Sequence, residues 1–168
     1  NFMKKFLVII ILNFCFVISS QADDSTDFQI AGMSLKESLL DHYRLNEIKK
    51  KKSYYFYELK DYITIDLEKS DRLYDGIQAN IKENDKKFII ESIEGYIFFK
   101  NFDDCKIKKE SIEDEIIAQF PKLEVNKGQV RSISFDPTGN SKAIVTDLFF
   151  NDDATIRIIC TDWSRKFE

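Results

Sequence analysis

Apolar positions fall into three rhythms along this chain. The first is continuous: Phe6 to Leu12, then Phe14 to Ile18 after the interruption at Asn13. Lys4-Lys5 stand ahead of this run, behind Met3, and Ser19-Ser20-Gln21-Ala22 close it before Asp23-Asp24. A basic end, an apolar stretch too short to span a membrane, and small residues at −3 (Ser20) and −1 (Ala22) predict a secretory signal peptide over 1–22. Cleavage leaves a mature chain beginning at Asp23, and the Asn1-Phe2 ahead of Met3 reads as upstream translation.

The second rhythm is helical. Ser34-Leu35-Lys36-Glu37 has the form of a capping box, with the Ser34 hydroxyl accepting from the Glu37 N–H and the carboxylate reaching back. Leu35, Leu39, Leu40 and Tyr43 then give one apolar stripe on a short helix. Asn46 is placed to cap a second short helix through Glu47, Ile48 and Lys49–Lys52. A longer helix is expected over 104–120, with Asp103 or Asp104 as cap. Cys105, Ile112, Ile116 and Phe120 share its apolar face, and Pro121 stops it.

The third rhythm is the two-residue alternation of strands. Phe28–Met33 reads as a short strand entering a turn. Ile63, Ile65 and Leu67 alternate with Tyr62, Thr64 and Asp66, and Ile77, Ala79 and Ile81 alternate with Gln78, Asn80 and Lys82. Asn84-Asp85 turns into Phe88–Ile93, and Glu94-Gly95 turns again into Tyr96–Phe99, which together predict an antiparallel meander. After a loop at Asn126-Lys127-Gly128, Ile133 and Phe135 alternate with Ser132 and Ser134, and 136–140 carries strong turn chemistry. Ile144 to Phe150 and Ile156 to Cys160 form a final hairpin around Asn151-Asp152-Asp153. The expected fold class is α+β: an antiparallel sheet of about five to seven meander and hairpin strands with helices on one face. One domain over 23–168 accounts for all of it, with no internal repeat and no low-complexity linker.

Export changes how the rest is read. Removing 1–22 leaves 146 of the 168 residues, enough for one core. The chain has 25 basic and 29 acidic residues; without Lys4 and Lys5 the mature balance is 23 − 29 = −6. That charge disfavours nucleic acid and anionic membrane as partners. Cys15 lies within the signal, and the bulky Leu12-Asn13-Phe14 ahead of it makes a poor lipid-attachment site, so no stable membrane anchor is expected after cleavage. The remaining cysteines, Cys105 and Cys160, form a pair in an oxidising compartment, where a disulfide is the default. Cys105 lies on the helix's apolar face and Cys160 on the strand face of Ile156 and Ile158, so the bond is expected to staple helix to sheet.

Candidate chemistry is sparse. His42, the single histidine, follows Asp41 near a helix end, where an imidazole complements the dipole, and no nucleophile elbow accompanies it. The acid pairs Asp23-Asp24, Asp103-Asp104 and Asp152-Asp153 fit a mature terminus, a helix cap and a hairpin turn. No catalytic residue, cofactor or metal site is assigned. Lys49, Lys50, Lys51 and Lys52 followed by Tyr54 and Tyr55 form the one candidate interaction patch, although a solvated helix end beside a core strand explains them as well. Trp163 is expected as a core anchor beside the disulfide.

Residues 28–41, the Asn84–Lys87 turn into Phe88-Ile89-Ile90, the Asp104-Cys105 helix start and Cys160-Thr161-Asp162-Trp163-Ser164 resemble uncharacterised small exported proteins of marine alphaproteobacteria. That resemblance brings no activity. Its members continue past the Asp-Trp-Ser segment into another strand, so it implies that the C-terminus at Glu168 is truncated. The Gly32-Met33-Ser34 turn is locally similar to small outer-membrane assembly lipoproteins of the SmpA/OmlA type. The expected role is that of an exported, periplasmic or secreted, non-enzymatic domain that binds an envelope or periplasmic protein or is otherwise associated with the envelope in a supporting role. The alternative is a carboxylate-dependent hydrolase of glycans or peptidoglycan, which would gather its acids in one concave site. A lipid-facing component is a third class and would need an exposed apolar groove between helix and sheet.

Overall fold

A computed structural model describes residues 24–53, 61–67, 73–134 and 136–164. The class is α+β with antiparallel strands throughout, but the strands build two four-stranded sheets where the alternation alone suggested one. The first sheet runs in chain order, β1 (Lys52–Ser53), β2 (Tyr62–Leu67), β3 (Gly76–Lys82), β4 (Ser92–Tyr96). In the second, β7 (Lys142–Phe149) pairs along its whole length with β8 (Thr155–Asp162). Its other edge is shared by β5 (Glu124–Lys127) and β6 (Arg131–Ser132). Between the sheets in sequence lies α2 (Phe102–Gln119); α1 (Leu45–Lys50) precedes the first sheet.

Each sheet owns a core. Ile65, Leu67, Ile77, Ala79 and Ile81, from one face of β2 and β3, pack with Met33, Leu39, Ile48 and Ile90. Strand alternation sends the intervening side chains to the other face, where Thr64, Asn80 and Ser92 hydrogen-bond across three strands at 2.6 and 2.7 Å. The second core joins Ile116 and Phe120 of α2 to Leu148 and Phe150. Phe120 meets Phe150 edge-on at 5.3 Å and Phe28 at 6.2 Å. The N-terminal segment links the two: Phe28 belongs to the second core while Met33, five residues on, belongs to the first. The reversal between them is tight, with Ala31 and Gly32 both at positive φ and Ile30 bridged to Met33.

Three local expectations are corrected by this packing. Half of the Ser34 box forms: the Ser34 N–H donates to Glu37 Oε2 at 3.0 Å, but the Ser34 hydroxyl is buried without a partner among the described residues. No α-helix follows. Lys36 sits at φ 69°, and backbone bonds of Lys36, Glu37 and Leu39 go to Phe88 and Ile90 instead, leaving only a 3-10 turn at Leu39–Asp41 capped by Ser38. The same exchange removes Phe88–Ile90 from the expected strand. In the second short helix Asn46 is not the cap; the chain enters through Arg44, whose N–H is held by Glu47 at 2.8 Å.

Gly95 is the third correction. It lies inside β4 opposite Ile77, where a turn was expected. A Cβ there would overlap the Tyr74 ring, as one at Gly76 would overlap Tyr96, its direct cross-strand partner. Both glycines thus let an aromatic ring lie flat on the sheet. Gly95→Ala is expected to cost about 1–3 kcal/mol through this overlap, measured by urea unfolding. An unchanged midpoint would show that the Tyr74 ring moves aside freely.

Candidate functional site

α2 positions most of the polar chemistry. Asn101 caps it, accepting from the Asp104 N–H at 2.9 Å while its amide donates back to Asp104 at 2.8 Å. Neither Asp103 nor Asp104 is the cap; Asp103 instead pairs with Lys106 at 2.7 Å, which holds its carboxyl below the ordinary value. One turn in, Cys105 is bonded to Cys160 of β8, with the Cα atoms 5.9 Å apart, inside the reach of a bridge. The helix-to-sheet staple is therefore present as expected.

Beyond the disulfide, the buried face of α2 turns polar. Lys109 and Glu113, four residues apart and almost wholly buried, form an ion pair beneath the helix. Lys109 Nζ also donates to Thr146 Oγ1 of β7 at 2.5 Å, and Lys127 of β5 reaches Glu113 from the cleft side at 2.9 Å. Burial by itself would raise the Glu113 carboxyl, but hydrogen bonds from Lys109, Thr146 and Lys127 outweigh it and hold the group below its ordinary 4.5. Lys127 is correspondingly raised, first by Glu113 and further by Asp114 and Glu110. A cleft of about 320 Å³ opens beside this network, lined further by Gly128 and Ile144.

The arrangement limits what the cleft can do. Thr146 is fully buried under Lys109, so no substrate atom can reach its hydroxyl. Glu113 spends its oxygens on two lysines, leaving Glu110 and Asp114 as the acids at the rim. Among the described residues, no group of three or more His, Cys, Asp or Glu side chains is placed to hold a metal ion. No described helix is long and apolar enough to cross a membrane. The network itself was legible only as an anomaly: Lys109 and Glu113 follow Cys105 at four and eight residues, on the very face that Ile112, Ile116 and Phe120 mark as apolar.

The other acids are dispersed over turns. Asp24 accepts from the Thr26 N–H at 2.9 Å, and Asp85 from Lys87 and Ile89, both at 2.8 Å. Asp152 holds the final hairpin through Ala154 and accepts from the Ser25 hydroxyl at 2.6 Å. Asp136 is buried and gathers the Thr138 N–H, the Thr138 hydroxyl and the Ser141 N–H within 2.7–2.8 Å. Burial opposes its ionisation, yet these bonds win and pull it far below the usual carboxylate range. Through Ser141 and Thr138 the same loop holds Ser164, at 2.9 and 3.0 Å. Trp163, between β8 and that anchor, is 41 % exposed and so is not the buried core residue expected.

Because Asp136 is depressed when folded, the stability it contributes is present above pH 3.8 and is lost as the pH falls through its folded value. Asp136→Asn is expected to flatten the stability curve below pH 3.8 and to speed amide exchange at Ser141 by about tenfold. An acid limb identical to the parent's would show that the loop does not depend on the carboxylate.

His42 and the lysine run resolve into local roles. His42 Nε2 lies 3.1 Å from Glu37, whose carboxyl is lowered first by the Ser34 N–H and then by His42. Lys49 and Lys50 are exposed in the last turn of α1, where cations complement the helix dipole, and Lys52 enters β1 opposite Ile65. Tyr54 and Tyr55 lie outside the described residues, so the patch is described only in its basic half. No protein-family model, curated protein or solved structure matches the chain.

Proposed function

We propose that the chain is an exported, non-enzymatic domain that acts by binding an envelope or periplasmic protein. The observation that carries this reading is the distribution of acids. They cap turns and close ion pairs, and the central carboxylate of the cleft is held by two lysines, so among the described residues only the rim acids Glu110 and Asp114 are left facing the cleft. The disulfide between Cys105 and Cys160 supports an oxidising compartment, and with it the signal peptide expected over 1–22. A mature chain at −6 favours a protein partner over nucleic acid or an anionic bilayer.

Affinity capture of the disulfide-intact domain from the exported fraction of its own cells tests the reading. Stoichiometric recovery of one envelope protein, repeated with purified components, is the expected result. Release of soluble fragments from purified peptidoglycan by the domain alone, abolished by Glu110→Gln or Asp114→Asn at the cleft rim, would establish the hydrolase alternative instead.

A further inference from the structure

The two halves of α2 are held to the second sheet by different means. From Ile112 onward the attachment is apolar: Ile116 and Phe120 are buried against Leu148 and Phe150, with Ile112 and Ile117 packed beside them. Among the described residues, no side chain of 102–111 belongs to either core. Ile107 is 68 % exposed, and the Phe102 ring carries the Lys106 ammonium 5.4 Å from its centre. Lys109 is the one residue of this stretch that is buried. Among the described residues the stretch is therefore attached at two points: the disulfide at Cys105, and the contacts of Lys109 with Glu113 and Thr146.

Of these two, the polar attachment is the weak one. A buried ion pair roughly breaks even against the cost of taking both charges out of water, whereas the apolar half gains with every methylene it buries. Moving Lys109 out into water restores its hydration. It does not orphan Glu113, because Lys127 stays bonded to the same carboxylate at 2.9 Å. The vacated Thr146 hydroxyl faces the cleft, where water replaces the ammonium. The chain entering the helix adds little restraint: 98–101 are exposed, with the Phe98 N–H held by Asp75 at 2.7 Å. An undocked stretch of about ten residues is too short to hold a helical form in water by itself.

We infer that the Cys105–Cys160 bond is a redox latch on the first half of α2: a dithiol reductant that opens it lets 102–111 leave the sheet and unwind, while the helix from Ile112 onward stays docked. The chemistry is thiol–disulfide exchange. Cys160 is 1 % exposed and Cys105 half-buried, so the reductant's thiolate attacks the Cys105 sulfur. The S–S bond breaks with its electron pair on Cys160, which takes up a proton. The reductant's second thiol then closes a disulfide within the reductant and releases Cys105 as a thiol. The protein gains two electrons and two protons, and the dithiol is oxidised to its disulfide. Departure of 102–111 widens the cleft of about 320 Å³ into a groove along Ile144 and Thr146 of β7. Reoxidation closes it. The latch operates whatever the domain binds.

Amide exchange of the mature domain, oxidised and after reduction with dithiothreitol, tests the latch. On reduction the amides of 106–110 are expected to exchange at least about tenfold faster, while those of 116–119 stay as protected as 77–81 of β3, which report global unfolding. Should the reduced protein unfold outright, sucrose is added until 77–81 are protected again, and the same comparison is made. The variant Lys109→Met, Glu113→Leu gives the first half of the helix an apolar attachment, so its reduced form should keep 106–110 as protected as 116–119. Unchanged exchange at 106–110 on reduction would overturn the latch. Loss of protection at 106–110 and 116–119 together, with 77–81 still protected, would show the whole helix released and overturn the division at Ile112. A reduced double variant that opens as readily as the parent would show that the polar attachment is not what makes the first half releasable, and the inference would fall.

Discussion

Replacing both Cys105 and Cys160 with alanine is expected to lower the free energy of unfolding by about 4 kcal/mol. The bond closes a loop of 55 residues, and the chain-entropy cost of closing such a loop in the unfolded state gives that magnitude. The loop contains α2 from Cys105 onward and all of β5, β6 and β7, so its release frees the four buried residues of the second core, Ile116, Phe120, Leu148 and Phe150, in the unfolded ensemble. Urea unfolding of the oxidised mature parent and of the mature variant, which has no cysteine, measures the difference. The first sheet's core draws no residue from this loop, and its amides should keep their protection at temperatures where the variant is folded. Loss of partner binding at such a temperature, with stability unchanged, would reassign the pair from structure to redox chemistry.

Glu113→Ala is expected to cost about 3–5 kcal/mol, because it leaves the Lys109 ammonium buried without its carboxylate. Removing both charges behaves differently. The double variant Lys109→Met, Glu113→Leu should return to within about 1 kcal/mol of the parent or exceed it, since an apolar pair of similar volume escapes the desolvation cost. The contrast between single and double variants is the readout. A single variant as stable as the parent would show that water reaches Lys109 and that the network is not sealed.

The same network has a pH signature of defined sign. Glu113 is lowered in the folded state, so its contribution is complete above pH 4.5 and is withdrawn as the pH falls through the folded value. Acid unfolding should therefore begin below pH 4.5, and the double variant should lose the share of that limb which Glu113 supplies. Together the two lysines and Thr146 explain why a glutamate tolerates a position that an apolar stripe would otherwise occupy.

The sequence by itself determined what depends on neighbours a few residues away. Alternation in Tyr62–Leu67, Ile77–Lys82, Ile144–Phe150 and Ile156–Cys160 marked four strands, because one buried face imposes a period of two whatever the partner strand is. The helix through Cys105, Ile112, Ile116 and Phe120, and its end before Pro121, were legible for the same reason. So was the disulfide, since the two cysteines lay on faces that a helix packed on a sheet brings together. Only the tertiary structure decided matters in which distant backbone or charge competes with local preference. Ser34 to Leu40 carries a helix signal, yet its amides and carbonyls bond to Phe88 and Ile90, which lie fifty residues away and leave no trace in local periodicity. Gly95 reads as a turn until the Tyr74 ring is placed over it. Division into two sheets is equally invisible, because alternation reports which side of a strand is buried and not which strand it pairs with. Lys109 and Glu113 could be placed on the buried face of α2 from spacing alone, but their survival there depends on Thr146 and Lys127, which β7 and β5 bring to them.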